Sequence, residues 1–320
     1  MNITGFANKG ITIGKTKENK RNGLKYILAN YQLYLLMAMI MLYFIVFKYL
    51  PMYGLSMAFM NFDPILGFSG SEWVGVEQFK KLFGGIYFWT ILKNTLSLSL
   101  YSLLVGFPFP IIFALFLNAV RQEWIKKPIQ TVAYAPHFIS TVVIVGMLKL
   151  FLSPSAGIVN RFIEALGGNA INFFAKASMF PSLYVWSDIW QNNGWNAVIY
   201  IAALSAIDPE LHEAAKVDGA GRFKRMWHID LPGIMPTIII LLIFSIGGLI
   251  NVGFEKVFLM QNDLNISTSE IIATYSYKVG LQQAQYSYSA AVGMFNSVVN
   301  FILLMSINFI SRHMAKTSLW

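Results

Sequence analysis

No cysteine occurs anywhere in the 320 residues, which excludes disulfides, thiolate nucleophiles, iron–sulfur clusters and cysteine-ligated zinc. The redox compartment stays open, because absence is compatible with any. Charge is scarce too: 12% of the residues are charged and 56% are hydrophobic, too little polar surface to cover a soluble globule of this size. The four histidines, His137, His212, His228 and His313, are scattered without metal-ligand spacing, and none has an evident nucleophile beside it. The stretch Gly10-Ile11-Thr12-Ile13-Gly14-Lys15-Thr16 looks like a phosphate loop but holds three residues between its glycines, where that loop requires four. It also lacks the flanking strand and helix, so nucleotide binding and enzyme chemistry are not expected of this chain.

Long apolar runs are what the chain does have. A bilayer core of about 30 Å asks about 20 predominantly apolar residues of a helix, and six stretches qualify: roughly 33–50, 96–120, 132–152, 183–207, 234–252 and 290–310. The runs are continuous rather than alternating, which rules out barrel strands. An all-α integral membrane protein with six transmembrane helices follows. Residues 1–30 form a polar, basic tail, 31–312 the membrane domain and 313–320 a short second tail.

The net charge of +9 has two readings, nucleic acid or membrane topology, and the placement of the basic residues decides between them. Lys9, Lys15, Lys17, Lys20, Arg21 and Lys25 precede the first span, and Arg121, Lys126 and Lys127 follow the second. Lys216, Arg222, Lys224 and Arg225 follow the fourth, and Arg312 and Lys316 follow the sixth. With the N-terminus cytoplasmic, most of the 24 Lys and Arg therefore lie inside, and both termini are expected there. The first span is too long for a signal-peptide core and has no small-residue cleavage site after it, so it reads as an anchor. The connections on the other side, 51–93, 153–181 and 253–289, are long enough to dock another protein.

The inner segment 208–233 is the most informative part of the chain, because a hydrophobic protein needs only a brief turn there. Asp208 is a favourable N-cap, Pro209 suits the first helical position and Glu210 complements the helix dipole. A helix is predicted from Pro209 to about Val217, ended by Asp218-Gly219, with a second short helix at about 222–228. Taken alone, this pattern also fits an amphipathic helix resting on headgroups. Its register, however, resembles the EAA loop of permease subunits in binding-protein-dependent ABC importers: Glu213-Ala214-Ala215, Asp218-Gly219-Ala220 and Ile229-Asp230-Leu231-Pro232 stand at that family's spacing.

The resemblance extends over most of 30–312 and is closest to carbohydrate permeases of the polysaccharide and oligosaccharide branch related to maltose-type permeases. Lys48-Tyr49-Leu50-Pro51-Met52-Tyr53-Gly54, Gly106-Phe107-Pro108, Ala135-Pro136-His137-Phe138-Ile139-Ser140 and Gly253-Phe254-Glu255-Lys256 carry it. Trp227 departs from the phenylalanine of many relatives but keeps an aromatic ring. The resemblance implies a type I ABC importer permease fold in a bacterial inner membrane. It also implies a second homologous permease subunit, two cytosolic ATPase subunits that bind ATP and Mg²⁺, an extracytoplasmic solute-binding protein and an oligosaccharide substrate. Glu213, Ala214, Ala215, Asp218, Gly219, Ala220 and Arg222 become ATPase-coupling residues, and the chain itself binds no cofactor or metal.

Substrate candidates come from polar residues inside spans, which are costly unless they face a cavity or partner. The densest set is in the fourth span, where Trp186, Asp188, Trp190, Gln191, Asn192, Asn193, Trp195 and Asn196 combine amides with indole faces suited to a polyhydroxyl ring. Helix-to-helix contacts and an interfacial aromatic belt are the other reading of this cluster. By analogy with sugar permeases, Gln191, Asn192, Trp195, Ser245 and Asn251 are expected to touch substrate, with Asp188 behind them. Asn296, Ser297 and Asn300 are expected to pack against a neighbouring helix. A six-helix half of an ion-driven secondary transporter is the alternative, and it should show several buried charged residues where this sequence offers only Asp188.

Overall fold

Helices make up nearly all the regular structure of the computed structural model, which describes residues 30–120 and 122–314. The basic tail before Asn30, its glycine-lysine stretch, Arg121 and the basic side chains of the C-terminal tail lie outside the described residues. The chain divides into two units between Gly54 and Leu55. Helix α1, Tyr31–Phe59, is long and apolar enough to cross a membrane.

In the larger unit, a two-stranded hairpin, β1 (Met60–Asn61) with β2 (Glu72–Trp73), precedes helix α2 at Glu77–Gly84. The main helices follow: α3 at Phe88–Ala119, α4 at Glu123–Phe138, α5 at Thr141–Phe151, α6 at Ile158–Ala165 and α7 at Phe180–Ser205. Beyond them come α8 at Pro209–Val217, α9 at Arg222–Gly233, α10 at Met235–Gly247, α11 at Phe254–Met260, α12 at Ile272–Tyr277 and α13 at Tyr286–Met314. Among the described residues three helices are long and apolar enough to cross a membrane, α1, α3 and α13, or five if α4 with α5 and α9 with α10 each count as one bent span. Helix α7 has the length, 26 residues, but its polar residues keep it out of that group.

The expected single helix across 132–152 is instead broken, with α4 and α5 meeting at 100°. Pro136 cannot donate a backbone hydrogen bond, and Ser140 starts α5 afresh by accepting from Val143 N–H at 3.5 Å. The second short helix also differs from expectation, running on past His228 to Gly233 before a 59° bend into α10. Prolines shape the unbroken helices in another way. Widened π-helical turns at Ile45–Tyr49, Ser102–Gly106 and Met226–Asp230 each end two residues before a proline, Pro51, Pro108 or Pro232. A proline ring clashes with the carbonyl four residues back, and the wider turn relieves the clash without ending the helix.

Helix α7 is the core element. At its start Phe180, Tyr184 and Val185 pack with Leu98 of α3, Val145 of α5, and Val257 and Met260 of α11. Toward its end Ala197, Tyr200 and Leu204 pack with Ile111, Ala114 and Leu115 of α3 and with Ile234. Close approach is possible at Gly194, which lies directly on the backbone of Ala133 in α4. Helix packing in lipid relies on such small residues, since exclusion from water does not distinguish a helix neighbour from a lipid tail.

Candidate functional site

Between the two packed ends of α7 lies a cavity of about 590 Å³, walled by α3, α7 and α10. Its α3 wall is the π-helical turn, where Ser102, Leu103 and Gly106 face inward. Asp188, Asn192 and Trp195 line it from α7, Ser245 from α10, and Asn251 from just beyond α10. Five of the six expected substrate residues thus surround one space. The sixth, Gln191, is buried on the adjacent face of α7, where its Nε2 donates to Ile139 O at 3.0 Å and so ties α7 to the break between α4 and α5. A second cavity of about 490 Å³ opens beside it, lined by His137, Ser140, Gln191, Glu255 and Lys256, and shares Tyr184, Asp188, Asn192 and Gly253 with the first.

The shared wall is a chain of polar contacts. His137 Nδ1–H donates to Asn192 Oδ1 at 2.9 Å, Asn192 Nδ2 donates to Asp188 Oδ1 at 3.0 Å, and Lys256 Nζ donates to the same oxygen at 3.3 Å. The His137 ring stacks on Trp195 with centroids 4.7 Å apart and planes 4° from parallel. Lys256 is 5% exposed overall and lies over the Tyr184 ring, 5.2 Å from its centroid. By contrast, Ser102 Oγ and Asn193 Oδ1, both in the lining of the first cavity, are buried without a protein partner. A buried polar atom left unpaired is costly.

Trp186 and Trp190 do not line either cavity; they are about half exposed, and Trp186 meets Phe109 edge to face. Asn296 and Asn300 of α13 donate to Asn251 Oδ1 at 3.2 and 3.0 Å, while Ser297 bonds within its own helix. Sequence reasoning misses His137, Tyr184 and Lys256. Lack of metal-ligand spacing sets His137 aside, and Lys256 reads as part of a long external connection. Both belong to motifs quoted for the family resemblance, which was the only available signal.

The 208–233 segment forms a second site. Asp208 Oδ1 accepts from Glu210 N–H at 2.9 Å at the start of α8. At its end Gly219, with φ +76°, allows Ala220 N–H to reach Ala215 O at 2.8 Å and its own N–H to reach Lys216 O at 3.1 Å, the paired bonds of a Schellman cap. Glu213, Ala214, Asp218 and Arg222 are exposed, Ala215 and Ala220 half-buried. His212 Nε2 sits 3.2 Å from Asp230 Oδ1, and Asn118 Nδ2 of α3 donates to the same oxygen at a longer 3.5 Å. One buried carboxylate therefore joins α8, α9 and α3.

Residues 106–316 match the family described as "Binding-protein-dependent transport system inner membrane component". Protein LplB of Bacillus subtilis (strain 168) is 48% identical over 88% of each chain. The polygalacturonan/rhamnogalacturonan transport system permease protein YteP of the same organism is 44% identical over 96% of each. Among solved structures, a bacterial ABC transporter involved in the import of the acidic polysaccharide alginate matches with a TM-score of 0.85 and 39% identity, covering 91% of this chain and 98% of that one.

Proposed function

The chain belongs to the family of inner membrane components of binding-protein-dependent transport systems, and on that premise we propose that it forms half of the path through which an ATP-driven importer takes up an oligosaccharide. As a permease component it performs no bond chemistry. A related permease subunit supplies the other half of the path, and a solute-binding protein delivers the sugar from outside. Two cytosolic ATPase subunits hold ATP and Mg²⁺ and dock on α8, with both chain termini on their side of the membrane. Relatives named for transport of polygalacturonan, rhamnogalacturonan and alginate support a carbohydrate cargo. An ion-gradient mechanism finds no such support, and Asp188 is already paired with Lys256.

The observation that carries this reading is one helix with two connections. Helix α7 presents Asp188, Asn192 and Trp195 to the cavity and, with three residues between Ser205 and Pro209, feeds α8. A rigid-body displacement of α8 by the ATPases therefore moves the cavity wall directly. Individual exposed ion pairs on α8 contribute only about 0 to 1 kcal/mol, so the small surfaces of Ala214, Ala215 and Gly219 carry the fit.

The test is purification with the co-expressed partners and a glycan screen for stimulation of ATP hydrolysis in the presence of the binding protein. Glu213→Lys and Gly219→Val are expected to leave the complex inserted and to lower both stimulated hydrolysis and transport. Nothing lies within 4 Å of a Cβ at Gly219, so the cost there is the left-handed backbone itself, about 1 to 2 kcal/mol for an L side chain. Normal coupled transport in both variants would sink the assignment of α8.

A further inference from the structure

We infer that Lys256 is an exchangeable receptor for a sugar carboxylate, with Asp188 as the internal counter-ion that the substrate displaces. This rests on the oligosaccharide reading above and narrows it to acidic glycans. Lys256 is buried in the lining of the second cavity, beside the Asp188 and Asn192 wall that both cavities share, and Asp188 Oδ1 is its only hydrogen-bond acceptor among the described residues. An ammonium has three donors, so one shared oxygen leaves it poorly satisfied. That oxygen is divided between Lys256 and Asn192.

The pair is also asymmetric. The Lys256 side chain is 6% exposed while that of Asp188 is 46% exposed, so the carboxylate can turn to water at little cost but the ammonium cannot. A buried cation requires an anion, and an entering uronate-type carboxylate supplies one as Asp188 leaves. A neutral sugar has nothing to offer in exchange. His137, hydrogen-bonded to Asn192 and stacked on Trp195, places an aromatic platform on the same wall for the ring that bears the carboxylate. Glu255, which also lines the second cavity, adds a negative charge that disfavours any carboxylate not held by Lys256.

The experiment is calorimetric titration of the assembled complex in lipid nanodiscs with trigalacturonate and with its carboxyl-reduced, neutral counterpart. The wild type is expected to prefer the acidic form by about tenfold or more, the size of one charged hydrogen bond. Lys256→Gln should erase that preference, and Asp188→Asn should increase it by removing the competing carboxylate. If either single variant fails to assemble because one charge is left unpaired, Asp188→Asn with Lys256→Gln removes both charges and should assemble without the preference. Equal binding of the two glycans by the wild type, or a preference that survives Lys256→Gln or the double variant, overturns the inference. Glycan-stimulated ATP hydrolysis would still stand in that event, whereas its absence with every glycan would count against the importer reading itself.

Discussion

Gly194→Val is expected to eliminate the assembled protein from the membrane. A Cβ at this position falls on the carbonyl oxygen and carbon of Ala133, which are backbone atoms and cannot swing aside. Overpacking of this kind costs about 1 to 3 kcal/mol and sometimes more, and here it acts at the contact between α7 and α4. Moving the helices apart also strains the Gln191 bond to Ile139 O and the stack of His137 on Trp195, so binding is lost together with folding. Gly293→Ala is the matched control, because a Cβ there meets nothing within 4 Å. Yield of monodisperse detergent-extracted protein and its melting temperature measure the effect. A Gly194→Val protein with the yield and Tm of the wild type would refute the close-packed contact.

Asp230→Ala is expected to separate ATP hydrolysis from transport. The Asp230 side chain is 9% exposed and holds His212 of α8 and Asn118 of α3 at one oxygen. A hydrogen bond to a charged group contributes about 1.5 to 3 kcal/mol, and its loss removes this side-chain tie between α8 and the spans. The sugar transported per ATP hydrolysed, measured in proteoliposomes, should fall by about tenfold, as that energy implies, while basal hydrolysis persists. Asp230→Asn keeps an acceptor of the same shape and should retain most of the coupling, which distinguishes a strut from a general loss of structure. An unchanged transport-to-ATP ratio in Asp230→Ala would show that α8 moves the spans by another route.

These two positions differ in how visible they are in the sequence. Gly194 stands in a run of amides and tryptophans that reads as a ligand-binding cluster, and nothing local reveals that its missing side chain admits Ala133. Asp230 occupies the variable position of Ile229-Asp230-Leu231-Pro232, a motif whose spacing locates the loop without explaining that residue. Helix α8 was legible to the residue, because its determinants are neighbours: Asp208 caps it, Pro209 opens it and Gly219 closes it. The 59° bend at the base of α10 was not, since Leu231-Pro232 can start a helix as readily as continue one through a widened turn.

Sequence by itself determined the membrane character of this protein, the position of α8 and the polar face of α7, since apolar run length, caps and the density of costly polar residues are local properties. Tertiary structure alone decided what that polar face meets. The break after Phe138 brings His137 to Asn192, and the chain beyond α10 folds back to bury Lys256 against Asp188. These hydrogen-bonded contacts join residues 55 and 68 positions apart. Contacts at that separation leave no periodicity or spacing in the chain, and they exist only once the helices between them have packed.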